Sequence, residues 1–484
     1  MSSNIKANIP FYLSIAAIVA LFFIVEISLL NKGFFALSAD ESGHTLEAYE
    51  WYKGDGQIFS IWLPFYKVVN GIALRVYYDL LVTPRIVSGL FGLLTLISFI
   101  FLTHQLFDNR VIAVLAGFLC TIFIPTAVFG ILPLTEIYLF FFLLISIIFS
   151  LLWFKSEKNV FLWLTVILLG LATTTRYEAW IFAIVIFTMI FLKISKSDKT
   201  FSQKVYLVLP AAIIVSAFPL YWIYLSLTAN QSAHGFITAV SNRYNTGEVY
   251  SEIKNNVLYL FMNINVVSLN IIGLASLAYL ININTFVKKY AIILFGTLIT
   301  FSVISFAFKA MPTHNHWRVA MIWCLLLLPF TAHWLYNLLD SAKKFPIIKY
   351  SFIIFFILII YFFNSQTQQH TSLSYFTYDE ISIGKFLNKI TQNDQSKIYV
   401  MKDAADKWRF ANILVASQKP VQFVTELDNF KFITSDTISL DIDLKTELIN
   451  KAVKYVLIPS KKNVQSKFLT EIKSFDQWKI FALK

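Results

Sequence analysis

Charged residues are scarce in this chain of 484 residues, and their scarcity decides its class. Asp, Glu, Lys and Arg together make up only 14% of the sequence, whereas hydrophobic residues make up 57%. A soluble domain cannot hide that much apolar surface and still present a charged exterior. The composition therefore excludes an ordinary soluble protein and indicates an integral membrane protein.

Cysteines and common recognition motifs are also sparse. Cys120 and Cys324 lie inside apolar runs without metal-type spacing, so we interpret both as core residues. No glycine-rich phosphate loop follows the strands predicted near the C-terminus, which leaves nucleotide binding unsupported. The net charge of +12 suits topogenic lysines and anionic headgroups, and it gives no indication of nucleic-acid binding. The first apolar run, 8–30, contains Glu26 and lacks a small-x-small cleavage site, so we do not interpret it as a signal peptide.

Long hydrophobic runs dominate the rest of the chain. A helix needs about 20 apolar residues to cross the hydrocarbon core. Two runs are too long for one crossing. We split 111–154 at IPTAVFGILPLTE, where Pro125, Gly130 and Pro133 interrupt a helix, and 159–192 at TTTRYE. The sequence then predicts eleven crossings. The unsplit ones are 8–30, 81–104, 205–227, 256–282, 290–308, 319–339 and 350–363.

Lysine and arginine are distributed unevenly between the two sets of alternating loops. One set holds 13 Lys/Arg in 48 residues, and the other holds 9 in 104. The positive-inside rule makes the first set cytoplasmic, so the amino terminus is predicted inside and the C-terminal region outside the cytoplasm. The cytoplasmic set comprises 1–9, 105–110, 155–158, 193–204, 283–289 and 340–349.

The ionisable residues that suggest chemistry all fall in the predicted outer loops. A transporter is expected to place such residues near the bilayer midplane, between helices. Their position at one membrane face favours an enzyme whose pocket opens outward. These candidates are Asp40, Glu41, His44, Glu136, Arg176, Glu178, Arg243, His314 and Arg318.

The first outer loop, 31–80, is predicted to contain two juxtamembrane helices. HTLEAYEWYKG indicates a short helix that ends at Gly54, with Thr45 as its N-cap. FSIWLPFYKVVNGIALRVYYDL is amphipathic and typical of a helix in the membrane interface. The pair Asp40–Glu41 also fits a solvated turn that caps the first of these helices.

Each of the other motifs has two interpretations. Arg176 could clamp a lipid phosphate, or lie in a tight turn whose charges reach headgroup water. Glu136 could bind substrate or complement the dipole of the helix it begins. Arg318 is either a phosphate contact or a snorkelling anchor. His314 and His316 are spaced i, i+2 and share no helical face, so we predict no metal site.

The tail, 364–484, differs in composition from the membrane region, 1–363, and predicts a small α/β domain. KIYVM, PVQFV and KYVLIP indicate strands, and ADKWRFANILVAS and KNVQSKFLTEIKSF indicate amphipathic helices. A docking or acceptor-recognition module is the simplest interpretation.

The order of these features resembles the GT-C glycosyltransferases, in particular the branch of the protein O-mannosyltransferases and the lipid A aminoarabinose transferases. The Asp40–Glu41 pair after the first crossing, the two juxtamembrane helices, GLATTTRYEAW with Arg176, and LTEIYLFFFLL with Glu136 match that branch in order and side. Glu136 stands where the family usually has Asp. The sequences WLPFY and HWR replace a double proline and an Arg–Tyr pair.

The resemblance implies a GT-C-like helical membrane protein that transfers a sugar outside the cytoplasm, with inversion. The donor would be a polyprenyl-phosphate sugar in the lipid bilayer, and the acceptor a hydroxyl on a glycan, lipid or protein. A carboxylate must take the acceptor proton, and a guanidinium or a bound divalent cation would stabilise the departing phosphate. The roles implied are catalysis for Asp40 and Glu41, with Asp40 as the base; donor-phosphate binding for Arg176, Arg318 and His314; and substrate binding for His44, Glu136, Glu178 and Arg243.

Two other functions remain open from the residues alone. A transporter or flippase of lipid-linked sugars would use the same charges to bind without reacting, and Glu26 is the one charge inside a predicted crossing that we associate with such a path. A catalytically inactive scaffold with the tail as its interaction surface is the second.

Overall fold

The chain packs into two compact units that do not follow a single cut in the sequence. The helical unit comprises Met1–Asn31, Gln57–Tyr66 and Ile86–Thr371, and the mixed unit comprises Lys32–Gly56, Lys67–Arg85 and Ser372–Lys484. The predicted functional division at residues 363/364 stays a prediction. The computed structural model describes residues 3–31, 39–56, 60, 62–230, 270–308, 316–341, 350–351, 354, 378–392, 396–401, 407–424, 437–439 and 442–484.

Long apolar helices form the helical unit. Seven helices of the described residues are long and apolar enough to cross a membrane, which confirms the membrane class. Three shorter apolar helices accompany them. Residues 256–269 and most of 350–363 lie outside the described residues, so the count of eleven crossings stays a prediction. The helices are α1 (Ser3–Leu29), α4 (Thr83–Phe107), α5 (Arg110–Ile122), α6 (Ile124–Ile131), α7 (Glu136–Ser156), α8 (Asn159–Thr173), α9 (Glu178–Ser195), α10 (Phe201–Asn230), α11 (Asn270–Ile281), α12 (Thr285–Phe308) and α13 (His316–Ser341).

Both of the longest apolar runs are broken in the predicted segments, but Gly130 lies inside the short helix α6 and does not interrupt it. Helix α5 ends at Ile122, and the short α6, with a proline in its first turn, separates it from α7. Proline is accepted there because the first turn of a helix has no intrahelical partner for its N–H groups. In the second run, α8 ends at Thr173 and α9 begins at Glu178. Both breaks place polar residues at the ends of helices, where their side chains can meet.

The mixed unit begins with the two helices predicted for the first outer loop. Helix α2 (Ala39–Lys53) ends at Gly54, whose φ of +89° is a conformation that favours glycine, as predicted. It begins earlier than expected, so Thr45 lies in its second turn and the prediction that Thr45 is the N-cap is wrong. Asp40 and Glu41 instead occupy the first turn, where carboxylates suit the helix dipole. The second helix, α3 (Phe65–Val76), is amphipathic as predicted.

A five-stranded sheet organises the C-terminal part of the mixed unit. Its order is β2-β1-β4-β7-β6; β2, β1 and β4 are parallel, and β4, β7 and β6 are antiparallel. A parallel pair, β3 with β5, lies apart from it. The strands are β1 (Lys397–Val400), β2 (Phe423–Val424), β3 (Thr437–Ser439), β4 (Val453–Pro459), β5 (Asn463–Gln465), β6 (Leu469–Ser474) and β7 (Trp478–Leu483), and the helices are α14 (Tyr378–Ile390), α15 (Lys407–Ser417) and α16 (Ile442–Asn450).

Alternating side chains give this sheet two apolar faces. Ile398 and Leu457 pack with residues of α14 and α15 on one face, whereas Tyr399 and Val456 pack with Leu448 of α16 on the other. The predicted small α/β domain is therefore present. Two of its elements depart from the prediction. KNVQSKFLTEIKSF forms β5 and β6 and no helix, and in PVQFV only Phe423–Val424 form a strand, because Pro420–Gln422 form a 3-10 helix.

Candidate functional site

The turn that carries Arg176 is built by three consecutive threonines. The hydroxyls of Thr173, Thr174 and Thr175 donate to the carbonyl oxygens of residues 170, 171 and 172, at 2.6, 2.7 and 2.6 Å. These bonds satisfy the last carbonyls of α8, which have no partner inside the helix. The chain can therefore turn within four residues, and Arg176 is held directly before the first turn of α9.

Arg176 lies between two glutamates. Its Nε and Nη2 donate to Glu178, with Nη2 at 2.7 Å from Oε1 and Nε at 3.1 Å from Oε2. Its Nη1 donates to Glu136 Oε1 at 2.8 Å and to Thr135 Oγ1 at 3.1 Å. Thr135 directly precedes α7, and its hydroxyl accepts from Arg176 while making no cap bond to its own helix. These contacts fix the orientation of the guanidinium plane.

Arg318 binds the same glutamate from a third helix. It lies in the first turn of α13, and its Nε and Nη2 are 2.6 and 2.5 Å from Glu136 Oε1. Two guanidiniums therefore share one carboxylate oxygen. The other oxygen, Oε2, is buried and has no hydrogen-bond partner among the described residues. An unpartnered buried carboxylate oxygen is costly, so it is a ready acceptor for a hydroxyl.

Within this cluster, the arginine side chains are more exposed than the glutamate side chains. The side chains of Glu136 and Glu178 are 1% and 3% exposed, whereas those of Arg176 and Arg318 are 12% and 10% exposed. Two positive and two negative side-chain charges cancel. The N-termini of α7, α9 and α13 also meet here, and each contributes roughly half a positive elementary charge. The sum is positive, so the cluster favours an anion.

The acidic pair of the first outer loop lies on α2 in the mixed unit. Glu41 is fully buried, and its Oε2 is 3.4 Å from Nη2 of Arg85, which also donates to the carbonyl oxygen of Leu81 at 2.7 Å. Asp40 is half-buried. Because the segment is helical, the two side chains diverge by about 100°. Of the two carboxylates, Asp40 is the more accessible to a substrate.

The other sequence-predicted residues are placed as follows. His44 lies on the buried face of α2 that also carries Glu41 and is 3% exposed. His314 and Arg243 lie outside the described residues. Within the part of the chain that the structure describes, no group of three or more His, Cys, Asp or Glu side chains could hold a metal ion.

Sequence reasoning missed Thr135 and Arg85. Arg85 was counted inside the apolar crossing 81–104. A charged residue just after the start of an apolar run usually has a partner of opposite charge, and this signal could have identified Arg85. Lys67 of α3 was also missed. It is buried 3.9 Å from Glu47 of α2, and burial lowers the pKa of its ammonium, which Glu47 and Glu50 partly offset.

Comparison with known proteins shows the fold. No protein-family model and no curated protein matches the chain. The crystal structure of ArnT from Cupriavidus metallidurans bound to undecaprenyl phosphate is similar, with a TM-score of 0.61 and 12% identity over 98% of each chain. The apo structure of the same protein has a TM-score of 0.59 and 12% identity, over 99% of this chain and 98% of that one. The chain therefore has the fold of ArnT, a GT-C lipid A aminoarabinose transferase, as the sequence resemblance predicted.

Proposed function

We propose that this protein transfers a sugar from a polyprenyl-phosphate donor to an acceptor hydroxyl on the extracytoplasmic side of the membrane, with inversion. The observation that carries the proposal is the buried cluster of Arg176, Arg318, Glu136 and Glu178 at three helix N-termini of an ArnT-like fold. The similar ArnT structure contains undecaprenyl phosphate, which is the leaving group of such a reaction. A donor already in the membrane needs no nucleotide site.

Arg176 and Arg318 are the proposed donor-phosphate ligands. A phosphodiester has one negative charge, and it gains more as the bond to the sugar breaks. The guanidiniums form the exposed edge of the cluster, so an incoming phosphate meets them before the carboxylates. Glu178 then orients Arg176, and Glu136 uses its unpartnered Oε2 to accept a hydrogen bond from a sugar hydroxyl.

Asp40 is the proposed base. As the acceptor oxygen bonds to the anomeric carbon, its proton moves to the Asp40 carboxylate. The bond between that carbon and the phosphate oxygen breaks, and its electron pair stays with the polyprenyl phosphate. Glu41 is fully buried whereas Asp40 is half-buried, which supports giving this role to Asp40.

A panel of radiolabelled polyprenyl-phosphate sugars tests the proposal with the purified protein in vesicles. Asp40→Asn keeps shape and removes basicity, so it should lower turnover by about 100-fold or more while donor affinity stays the same. Glu41→Gln should lower turnover less. If Asp40→Asn turns over normally at saturating donor, Asp40 is not the base.

A flippase of lipid-linked sugars is the second candidate, favoured by one observation. Glu26 of α1 is 5% exposed, and its Oε1 has no hydrogen-bond partner among the described residues. Intramembrane carboxyls are common in transport paths. Movement of donor between leaflets without sugar transfer, abolished by Glu26→Gln, would favour this candidate over the transferase.

A further inference from the structure

One face of helix α2 contacts the C-terminal region. Ser42, Thr45, Tyr49 and Tyr52 follow the i, i+3, i+7, i+10 spacing of a single helical face. The first three are buried in the mixed unit. Asp40 is on a different face and is half-buried. The face that contacts the C-terminal region therefore begins two residues after the proposed base.

The first connection on this face is a buried hydrogen bond. Ser42 Oγ donates to Oδ1 of Asn412, a residue of α15 that is 370 positions away in sequence. Ser42 is fully buried, and Asn412 is 4% exposed. A buried hydroxyl and amide that pair with each other are expensive to separate, because both lose water and gain no substitute.

The second connection passes through Gln418, which directly follows α15. Its side chain donates from Nε2 to Asp79 Oδ1 at 3.1 Å and accepts from the Leu80 backbone N–H at 2.7 Å. Its carbonyl accepts from the Tyr78 hydroxyl at 2.5 Å. Gln418 has a φ of +62°, which non-glycine residues adopt rarely, so its backbone is set for these contacts.

Tyr78 carries this second connection to α2. Its ring centroid is 5.5 Å from that of Tyr52 and 6.4 Å from that of Tyr49, both on the face that carries Ser42. The Tyr78 hydroxyl is protonated at neutral pH and can donate to Gln418, since the ordinary pKa of tyrosine is about 10 and burial raises the pKa of Tyr78 further. Two connections therefore reach α2 from the C-terminal region, one through the hydrogen bond to Ser42 and one through the ring contacts of Tyr78 with Tyr49 and Tyr52.

Helix α3 fixes the opposite side of α2. A Cβ on Gly71 would lie 2.4 Å from Cε3 of Trp51 and 3.0 Å from the carbonyl oxygen of Ala48, so only glycine permits this approach. The guanidinium of Arg75 lies 5.2 Å from the Trp51 ring. Helix α2 is thus held between α3 and the C-terminal region, and its position depends on both.

We propose that Asn412 and Gln418 are positioning residues that hold α2, and with it Asp40, in the geometry that catalysis requires. The inference rests on the proposed function and gives the C-terminal domain a part in it. A base must be within hydrogen-bond reach of its proton, and a shift of about 1 Å can cost up to 100-fold in rate. The C-terminal domain acts on the reaction through α2, whatever else it recognises.

The test removes the two partners singly and together. Ser42→Ala and Asn412→Ala should each lower kcat about tenfold while KM for the donor is unchanged, because the donor-phosphate ligands are untouched. The double variant should cost little more than the larger single effect, since each single variant already removes the Ser42–Asn412 hydrogen bond. Ser42→Thr keeps the hydroxyl and should retain most of kcat. Asn450→Ala, at an exposed asparagine of the same unit, is the matched control.

A second measurement separates this inference from the proposed function. Hydrogen exchange of the Ala39–Lys53 amides should increase in Asn412→Ala and in Gln418→Leu, and stay at the wild-type rate in Asn450→Ala. Faster exchange in a protein whose wild type transfers no sugar would support the connection and refute the transferase. The inference would be overturned, and the transferase left standing, if Ser42→Ala and Asn412→Ala kept the wild-type kcat and Asn412→Ala and Gln418→Leu kept the wild-type exchange rates. The inference would also be overturned if the loss of activity disappeared when kcat was calculated per molecule able to bind donor, because the variants would then only contain less folded protein.

Discussion

The two ends of the helical unit use positive charge in opposite ways. At one end, Lys193 donates to Glu157 at 2.8 Å and to the carbonyl oxygen of Phe154 at 3.1 Å, and Lys289 reaches the same carbonyl at 3.4 Å. These lysines lie at the C-terminus of α7, where a cation suits the dipole. The hydrogen bond from Lys193 lowers the pKa of Glu157, which is 62% exposed.

At the other end, two arginines lie at helix N-termini, where the helix dipoles disfavour positive charge. Arg176 and Arg318 lie at the N-termini of α9 and α13 and are held there by buried glutamates. An anchor in headgroup water needs no buried glutamate, because the half-buried Lys193 at the first end pairs with the exposed Glu157. The side-chain charges of this cluster cancel, and the helix N-termini add net positive charge. A buried cluster with net positive charge is typical of an anion-binding site. This difference is the physical basis for our proposal that the donor phosphate binds at the arginine end.

The largest effect is expected from Arg176→Ala. It removes the guanidinium that we propose as a phosphate ligand, so donor affinity should fall by about 10- to 100-fold, measured by equilibrium binding of labelled polyprenyl phosphate. Glu178 and Glu136 lose a buried partner, which should cost about 3–5 kcal/mol of stability.

Two further variants make this result interpretable. Arg176→Lys keeps the charge and the fold but loses the planar pair of donors, so it should restore binding only in part. Lys193→Ala is the control, because it also removes a paired cation, at the lysine end. It should leave donor affinity unchanged. Equal losses from Arg176→Ala and Lys193→Ala would remove the distinction between the two ends.

A smaller effect is expected from Arg318→Ala. Glu136 Oε1 would keep its 2.8 Å contact with Arg176, so the carboxylate stays paired and the cluster stays ordered. Donor affinity should fall by about tenfold at most, which corresponds to about 1.4 kcal/mol. A loss that exceeds the loss in Arg176→Ala would make Arg318 the principal phosphate ligand.

Much of the arginine end could be predicted from sequence because its determinants are local. Proline and threonine positions indicated both helix breaks, and a Glu after a break marks the start of a helix. The sharing of one Glu136 oxygen by Arg176 and Arg318 could not be predicted, because these arginines are distant in sequence and only packing joins them. The contact between Ser42 and Asn412 could not be predicted for the same reason.

The segment KNVQSKFLTEIKSF was predicted wrongly for a different reason. Val464, Phe468 and Ile472 recur every four residues, which imitates one face of a helix. Pairing with β7 outweighs that pattern, because Phe468 and Leu469 are buried in the same apolar cluster as residues of β1 and β4. Helix α2 was placed too late because its acidic first turn was interpreted as a loop.

The smallest effect on activity is expected from single cysteine substitutions that test which end of the helical unit faces the cytoplasm. These substitutions should leave activity unchanged. Asp198→Cys, in the exposed loop near Lys193, should react with an impermeant thiol reagent only from the cytoplasmic side, since that loop belongs to the lysine-rich set. Asn450→Cys, in the C-terminal domain, should react only from the opposite side. Cys120 and Cys324 are buried, each 1% exposed, so background labelling should be low. Labelling of both introduced cysteines from one side would contradict the predicted topology, and the arginine cluster would then lose its assignment to the extracytoplasmic face.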